Sequence, residues 1–199
     1  MKSKPLEISI VGAGIGGLVA ALALKKRGHK PTIYEKTESL SELGAGIQLS
    51  PNANKVLEYL GVMEELQADV YEPEAFQFVH YRTGTVLAQQ ALKNSSVKIY
   101  GSPNYDVHRA DLQKALLKII NKEEIQIEKN SEIIDLYEEA NGAFIKTRER
   151  VIESDAVIGA DGIHSVVRKK LWGEDQARYT GNVAWRMLVP IEEISSKFI

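Results

Sequence analysis

The chain has 199 residues, of which 44% are hydrophobic and 26% are charged, the composition of an ordinary globular domain with a buried core. Its formal net charge is −2 and both signs are scattered, so we expect neither a nucleic acid nor a membrane surface as a partner. The absence of cysteine excludes disulfides, thiolate metal ligands and a cysteine nucleophile, and it favours a cytoplasmic protein.

The apolar run from Ile8 to Leu24 follows Lys2 and Lys4 and superficially resembles a signal peptide. Four glycines interrupt this run, and glycine weakens a continuous apolar helix. No other stretch approaches the ~20 apolar residues that cross a bilayer. We therefore expect neither a signal peptide nor a membrane span.

A βαβ unit is predicted at the start of the chain. The short β-branched run from Ile8 to Val11 predicts a buried strand. Small and aliphatic residues from Leu18 to Arg27 predict a helix that ends at Gly28. The second strand is predicted from Thr32 to Glu35.

The next helix is predicted between Ser50, a suitable cap, and Gly61, with Pro51 at its first position. Its buried face is predicted to carry Val56, Leu57 and Leu60. Residues 73–100 change character, because aromatic and β-branched residues flank a Thr-Gly pair and predict two strands joined by a turn. We expect this block to belong to a second lobe.

An amphipathic helix is predicted from Asp111 to Asn121, with one face formed by Leu112, Ala115, Leu116, Ile119 and Ile120. The Asn141-Gly142 pair predicts a hairpin turn between two later strands. Further elements are predicted as strands at about 125–128, 132–138, 143–147, 156–159 and 179–190, and as a helix at 165–171. Strands and helices alternate before antiparallel pieces intrude, so we expect an α/β fold with an inserted sheet.

The hexapeptide that begins at Gly12 matches the dinucleotide fingerprint G-x-G-x-x-G, with Gly14 and Gly17 in register. The first glycine allows a tight turn, the second lets the backbone approach a pyrophosphate, and the third lets the helix pack closely on the strand. The helix N-terminus supplies N–H groups for phosphate. The alternative is a turn that merely needs glycine, but the position between strand and helix favours dinucleotide binding.

Glu35 lies 18 residues after Gly17, at the end of the second predicted strand. This is close to the spacing of about 20 residues for the acidic side chain that hydrogen-bonds a ribose hydroxyl. A carboxylate there would repel a 2′-phosphate, so the nucleotide held at this point should not be NADP. The alternative is a solvated carboxylate at the end of a strand.

Four segments of the sequence resemble one known family when they are taken together. They are residues 12–35, GAGIQLSPNA at 44–53, VHRADL at 107–112 and DAVIGADGIHSVVR at 155–168. In this order they resemble the group A flavoprotein monooxygenases, the salicylate and para-hydroxybenzoate hydroxylase family. The resemblance runs along essentially the whole chain, and the segment G-A-D-G-x-x-S-x-V-R is its most specific motif.

The resemblance implies an α/β fold: a Rossmann-like FAD-binding domain with a parallel sheet, and an inserted, incomplete antiparallel sheet of a substrate domain. The implied FAD-binding domain comprises residues 1–72 and 101–178, and the partial substrate domain comprises 73–100 and 179–199. FAD is the implied cofactor and NADH or NADPH the reductant. The implied reaction transfers one oxygen atom to a small aromatic substrate, with chemistry that the cofactor carries.

Asp161 and Arg109 are the further cofactor-binding residues that the resemblance implies, beside the fingerprint glycines and Glu35. Asp161 would contact the flavin cofactor, and its alternative role is to cap the helix from Ile163 onward. Arg109 would reach the FAD pyrophosphate or ribose, and its alternative is a weak surface pair with Asp111. Gly44 and Gly46 would bring backbone near the flavin ring or would simply turn the loop.

The resembled family carries a Gly-Asp motif further downstream that holds the flavin, and this sequence has no Gly-Asp pair after residue 165. We therefore expect the chain to be a truncated N-terminal part of that fold. A non-catalytic or split nucleotide-binding fragment stays open as the alternative function. An incomplete sheet would also favour a partner chain or self-association.

Several other residues are interpreted as structural. The four histidines lack the spacing of metal ligands, so no metal site is predicted. Ser165 lacks the G-x-S-x-G context of a nucleophile. Asp106 and His108 are interpreted as a polar pair in a loop, and Trp185 and Arg186 as packing residues on a strand. No catalytic residue is predicted.

Overall fold

The computed structural model describes residues 4–40, 45–140, 142–174, 178–185 and 189–194. These residues form six α-helices, twelve strands and a short 3-10 helix at Ile191–Glu193. In chain order the elements are β1 Glu7–Val11, α1 Ile15–Lys26, β2 Lys30–Tyr34, β3 Gly46–Leu49, α2 Pro51–Tyr59, α3 Met63–Leu66, β4 Val70–Tyr71, β5 Ala75–Val79, β6 Val86–Ala91, α4 Ser95–Tyr100, β7 Tyr105–His108, α5 Arg109–Lys122, β8 Gln126–Glu128, β9 Asp135–Glu139, β10 Gly142–Lys146, β11 Val151–Ser154, β12 Ala156–Gly159 and α6 Val166–Trp172.

A parallel sheet with the strand order β12-β1-β2-β8 forms the centre of the fold. Strand β1 pairs with β2 on one side and with β12 on the other, so that Val11 lies between Tyr34 and Gly159. The chain moves outward from β1 to β2 and β8 and later returns to β12 on the opposite side. The predicted βαβ start and parallel sheet are confirmed, and helix α1 begins three residues before its predicted start.

The main core lies between this sheet and helices α1 and α5, which pack against each other. Ile10 and Ile33 from the sheet and Leu18 from α1 are completely buried. The predicted stripe of α5 is confirmed, because its buried residues include Leu112, Ala115, Leu116, Ile119 and Ile120. Among the described helices, none combines the length and the apolar character that a membrane crossing requires.

A three-stranded antiparallel sheet with the order β11-β10-β9 is inserted in the chain between β8 and β12. It packs on the carboxyl ends of the parallel strands through a second core of Val11, Tyr34, Ile133, Leu136, Ile145 and Val167. The predicted hairpin is confirmed by the pairing of Gly142 with Glu139, while Asn141 lies outside the described residues. Strand β11 was not predicted.

Residues 46–108 add two smaller antiparallel sheets. Strands β3, β7 and β4 form one of them, and β5 and β6 form a separate two-stranded hairpin with an irregularity between Phe78 and Val79. The two predicted strands in residues 73–100 are therefore confirmed, and helix α4 follows them without having been predicted. Most of the hairpin is exposed on both faces. The division of the chain into two domains stays a prediction.

The predicted buried face of α2 is wrong at Val56, which is 44% exposed, whereas Leu57 and Leu60 are buried. The buried residues of this helix are Pro51, Asn54 and Leu57, which recur every three residues. Val56 lies two positions beyond Asn54 and therefore projects about 200° away from it around the helix. The packed face of α2 thus includes a polar residue that hydrophobicity does not indicate.

The strand predicted from Tyr179 to Pro190 is not found in the described part of that range, and residues 186–188 lie outside it. Tyr179, Val183 and Trp185 are all strongly exposed. Side chains of this kind favour a strand only where a neighbouring strand completes the ladder and covers them. No described strand pairs with residues 178–185, so β-propensity alone was a misleading signal.

Helix α1 approaches the preceding turn so closely that Gly17 should tolerate no side chain. A Cβ atom on Gly17 would lie 2.0 Å from the Gly12 carbonyl oxygen, while a Cβ on the exposed Gly16 would meet nothing within 4 Å. We expect Gly17→Ala to lower the free energy of unfolding by about 1–3 kcal/mol, since overpacking has costs of that order. Gly16→Ala should be neutral or stabilising, because alanine favours helices. Urea unfolding of both variants tests this, and equal stabilities would contradict it.

Candidate functional site

A cleft of about 570 Å³ opens at the carboxyl ends of β1, β2 and β12. In open α/β sheets ligands bind at this edge, where the strand order reverses. The cleft is lined by the glycine-rich turn after β1, by the residues after β2 and by the turn after β12. Its residues include Gly12, Ala13, Gly14, Glu35, Ala160 and Asp161.

The glycine-rich turn is held in one conformation by its neighbours. Gly12 has φ +103°, and its N–H donates to the Tyr34 carbonyl at 2.8 Å. A Cβ on Gly12 would come within 2.5 Å of the Ala160 carbonyl oxygen, so the turns after β1 and β12 nearly touch. Only glycine combines this left-handed backbone with so close an approach.

Gly14 precedes helix α1 as its N-cap and has no side chain to cap it. A Cβ on Gly14 would meet nothing within 4 Å, and Gly14 lines the cleft. The first N–H groups of an α-helix have no partner within the helix, and the helix dipole makes this end positive. The arrangement therefore offers an uncovered backbone and a helix N-terminus to an anionic group.

The carboxylate of Glu35 connects the end of β2 to this turn through hydrogen bonds. Its Oε2 accepts the Ala13 N–H at 2.8 Å, and its Oε1 accepts the Thr37 N–H at 2.9 Å and the Thr37 hydroxyl at 3.0 Å. Partial burial opposes ionisation of Glu35, but these hydrogen bonds and the nearby Lys36 outweigh burial and lower its pKa. Glu35 is thus an ionised, oriented acceptor at the cleft.

Asp161 holds the N-terminus of helix α6. Its Oδ1 accepts the Ser165 hydroxyl at 2.6 Å, and its Oδ2 accepts the N–H groups of Val166 at 2.7 Å and Val167 at 3.2 Å. Ser165 completes the cap by accepting the Arg168 N–H. The capping role is therefore confirmed, although the helix begins at Val166 and not at Ile163. Asp161 also lines the cleft.

The structure brings Gly12, Gly14, Glu35 and Asp161 together and leaves two of the predicted site residues elsewhere. Gly17 lies beneath the turn, where it allows the helix to pack. Arg109 is an exposed residue at the start of α5, and it is not among the described residues that line this cleft. Gly46 begins strand β3, and Gly44 lies outside the described residues.

Two further residues that line the cleft were not predicted as site residues. Gln113 is 4% exposed and lines the cleft from helix α5. The available signal in the sequence was the polar residue Gln113 next to the apolar stripe of helix α5. His164 lines the cleft from the turn before α6, and no spacing indicated it. Among the described residues, no group of three His, Asp or Glu side chains is placed to hold a metal ion.

A second, larger cleft of about 740 Å³ lies beside strands β3 and β7, helix α2 and the β5–β6 hairpin. Asp106 and Gln48, which are opposite each other in the β3–β7 pair, both line it. The interpretation of Asp106 and His108 as loop residues is therefore wrong, because both belong to β7. Strand β7 alternates apolar and polar residues (Tyr-Asp-Val-His), but over only four residues this alternation gave little signal in the sequence.

Comparisons with known proteins identify the family of the chain. The FAD binding domain family matches residues 6–189. The chain is 34% identical over 196 residues to 3-amino-4-hydroxybenzoate 2-monooxygenase of Streptomyces cremeus, covering 98% of this chain and 49% of that protein. It is also 34% identical over 201 residues to 6-hydroxynicotinate 3-monooxygenase of Pseudomonas fluorescens, covering 98% of this chain and 50% of that protein. The chain thus spans about half the length of these curated relatives.

Solved structures of similar fold include proteins crystallised with FAD. CtdE in complex with FAD and a substrate superimposes with a TM-score of 0.74 at 27% identity, over 85% of this chain and 40% of CtdE. A variant of HpxO from Klebsiella pneumoniae, complexed with FAD, has a TM-score of 0.71 at 27% identity, over 82% of this chain and 42% of HpxO. With its family match over residues 6–189, the chain belongs to the FAD binding domain family.

Proposed function

We propose that the cleft at the ends of β1, β2 and β12 binds the adenosine diphosphate part of FAD, within an FAD-dependent aromatic-ring hydroxylase. The observation that carries this proposal is the position of Gly14. It stands at the N-terminus of a twelve-residue helix, lines the cleft and has open space where a side chain would project. A pyrophosphate needs this combination of free N–H groups and uncovered backbone.

Glu35 is proposed to bind the ribose of the adenosine. Both of its oxygens already accept hydrogen bonds from Ala13 and Thr37, but an ionised carboxylate has about four acceptor positions. Three of these positions are in use, so one ribose hydroxyl can be added without breaking the bond that orients the glycine-rich turn. The lowered pKa of Glu35 keeps this acceptor ionised at neutral pH.

Asp161 is proposed to act through its place in the turn after β12. Its carboxylate fixes α6 and its own backbone borders the cleft opposite Gly12. The cap thereby keeps the turn in a shape that a bound cofactor can approach. A direct contact of Arg109 with the FAD pyrophosphate or ribose stays a prediction of the resemblance.

The proposed reaction uses NADH or NADPH as reductant and molecular oxygen as co-substrate. Bound FAD supplies the redox chemistry, and the residues of this chain bind and orient the cofactor. Curated relatives are named for hydroxylating aminohydroxybenzoate and hydroxynicotinate, so a small aromatic substrate is proposed for this protein too. We also propose a cytoplasmic location, which the lack of cysteine favours. The division of the chain into two domains, with boundaries after residues 72, 100 and 178, is proposed as well.

A second candidate function, nucleotide binding without catalysis, is favoured by the β5–β6 hairpin. Within the described part of the chain, neither β5 nor β6 pairs with a third strand, and Phe78 and Leu87 are 59% and 66% exposed. A two-stranded hairpin is marginally stable alone and is normally extended or covered. We propose that a partner chain or a second copy covers the hairpin, and that catalysis requires this association.

Removing the open space at Gly14 should weaken FAD binding without preventing folding. Gly14 has φ −67° and ψ 175°, which alanine adopts freely, so Gly14→Ala should fold, with a loss of at most about 1 kcal/mol because alanine is a poorer N-cap than glycine. Its methyl group would occupy the path of the pyrophosphate, and we expect FAD affinity to fall about tenfold or more. Gly16→Ala adds the same methyl group outside the cleft and serves as the control. Flavin fluorescence titration measures all three proteins, and equal affinities would contradict the proposed site.

Replacing Glu35 should destabilise the protein only while the carboxylate is ionised. Glu35→Gln turns one acceptor into a donor that faces an N–H group, and we expect a loss of about 1–3 kcal/mol at pH 7. Because folding lowers the pKa of Glu35, its contribution is complete above the unfolded value of 4.5 and disappears as the pH falls through the folded value. Urea unfolding from pH 7 to pH 3 should show the two proteins converging. A constant difference, or the same loss in the exposed control Glu38→Gln, would contradict this role.

Association through the hairpin should be visible in solution. We expect the purified chain to elute from a size-exclusion column as a dimer or larger species at micromolar concentration. Replacing Phe78 and Leu87 by Ser should shift it toward the monomer, because apolar burial drives such contacts. A parent protein that elutes as a stable monomer would rule out self-association under these conditions. A partner chain would then be the proposed cover of the hairpin.

A further inference from the structure

Gln113 is the one polar residue among the buried residues of helix α5. It is 4% exposed, and the other buried residues of this helix are all aliphatic. It lines the first cleft, at the ends of β1, β2 and β12, together with Gly12 and Gly14. Helix α5 packs against α1, whose N-cap is Gly14. A buried amide therefore stands beside the glycine-rich turn and the start of α1.

The side-chain amide of Gln113 has no hydrogen-bond partner within the part of the chain that the structure describes. In that part, the unpaired polar side-chain atoms that are sealed from the surface are Asn54 Oδ1 and Ser102 Oγ. The amide of Gln113 is not sealed in this way, so it reaches the surface of the cleft that it lines. A polar group that is almost completely buried and unpaired lowers stability, and a ligand in the cleft would satisfy it.

The two carboxylates beside the glycine-rich turn are already engaged. Glu35 accepts hydrogen bonds from Thr37 and from the turn itself, and Asp161 accepts them from Ser165 and the start of α6. Ionised carboxylates only accept hydrogen bonds, and their charge repels the oxygens of a diphosphate. The amide of Gln113 is neutral and carries two N–H donors. Of these three side chains, it alone can donate to an anionic ligand.

We propose that Gln113 is a cofactor-binding residue whose side-chain N–H donates to the diphosphate of FAD, beside the backbone N–H groups at the start of α1. The inference rests on the proposed function, which supplies the cofactor. It assigns a donor that neither the glycine fingerprint nor the family resemblance indicates. A hydrogen bond to a charged phosphate is stronger than one between neutral groups. The unpaired amide is thus a preformed part of the site.

Replacing Gln113 by Met keeps the length of the side chain and removes the amide. Gln113→Met should unfold at the same temperature as the parent protein or at a higher one, because it no longer buries an unpaired polar group. Its affinity for FAD, measured by flavin fluorescence titration, should fall about tenfold through the loss of one charge-assisted hydrogen bond. A residue that only supports the fold would lose stability and affinity together, and that result would overturn the proposal.

Gln113→Glu places a carboxylate of nearly the same shape in the cleft. At pH 8 repulsion should lower the affinity for FAD further than Gln113→Met does. The affinity should recover as the pH falls, because the protonated carboxyl group is neutral and donates a hydrogen bond. Gln67→Glu changes an exposed residue outside both clefts and is the matched control for net charge. A Gln113→Glu variant that binds FAD like this control at every pH would contradict the proposed donor.

Titration with ADP, followed by calorimetry, separates this inference from the proposed function. FAD binding that is equally tight in the parent protein and in both Gln113 variants would overturn the role of Gln113 and leave the proposed function standing. Binding of ADP that depends on Gln113, without any binding of FAD, would support the inference and contradict the proposed cofactor. A parent protein that binds neither compound would overturn both.

Discussion

The close approach of helix α1 to the turn that leaves strand β1 is the constraint on which the rest of the site depends. Gly17 lies against the Gly12 carbonyl group, and Gly12 lies against the Ala160 carbonyl group, with no room for a side chain at either contact. Three segments distant in sequence are thereby brought to one point at the edge of the parallel sheet. Because the interior is close-packed, displacing one of them displaces the others.

Hydrogen bonds donated to two carboxylates extend this constraint to the walls of the cleft. Glu35 joins the end of β2 to the glycine-rich turn, and Asp161 joins the turn after β12 to helix α6. Both therefore have a structural role before any ligand arrives. Pre-organisation of this kind reduces the ordering that binding would otherwise require. It also explains how Glu35 and Asp161, which the resemblance implies as cofactor-binding residues, stabilise the turns and helix α6 in the same structure.

The strands of the parallel sheet and helices α1 and α5 could be predicted from the sequence because each depends on local spacing, as do Gly12, Gly14 and Glu35 at the first cleft, whereas Asp161 was indicated only by the family resemblance. The α5 stripe and the fingerprint glycines are visible within a few residues of chain. Other features depend on which distant segments of the chain pack against each other. They are the exposure of Val56, the absence of a strand in residues 179–185 and the position of Asp106. Helix α4 was missed because its six residues show no periodic pattern and follow Asn94, whose positive φ no spacing reveals.

A crystal structure of the chain grown with FAD tests the proposed cofactor site most directly. We expect the pyrophosphate beside the Gly14 backbone and the adenosine ribose within hydrogen-bond distance of the Glu35 carboxylate. The bond from Ala13 to Glu35 should be retained, because it orients the turn in the absence of ligand as well. FAD bound elsewhere, or bound with the Glu35 carboxylate turned away from the ribose, would contradict the proposed site.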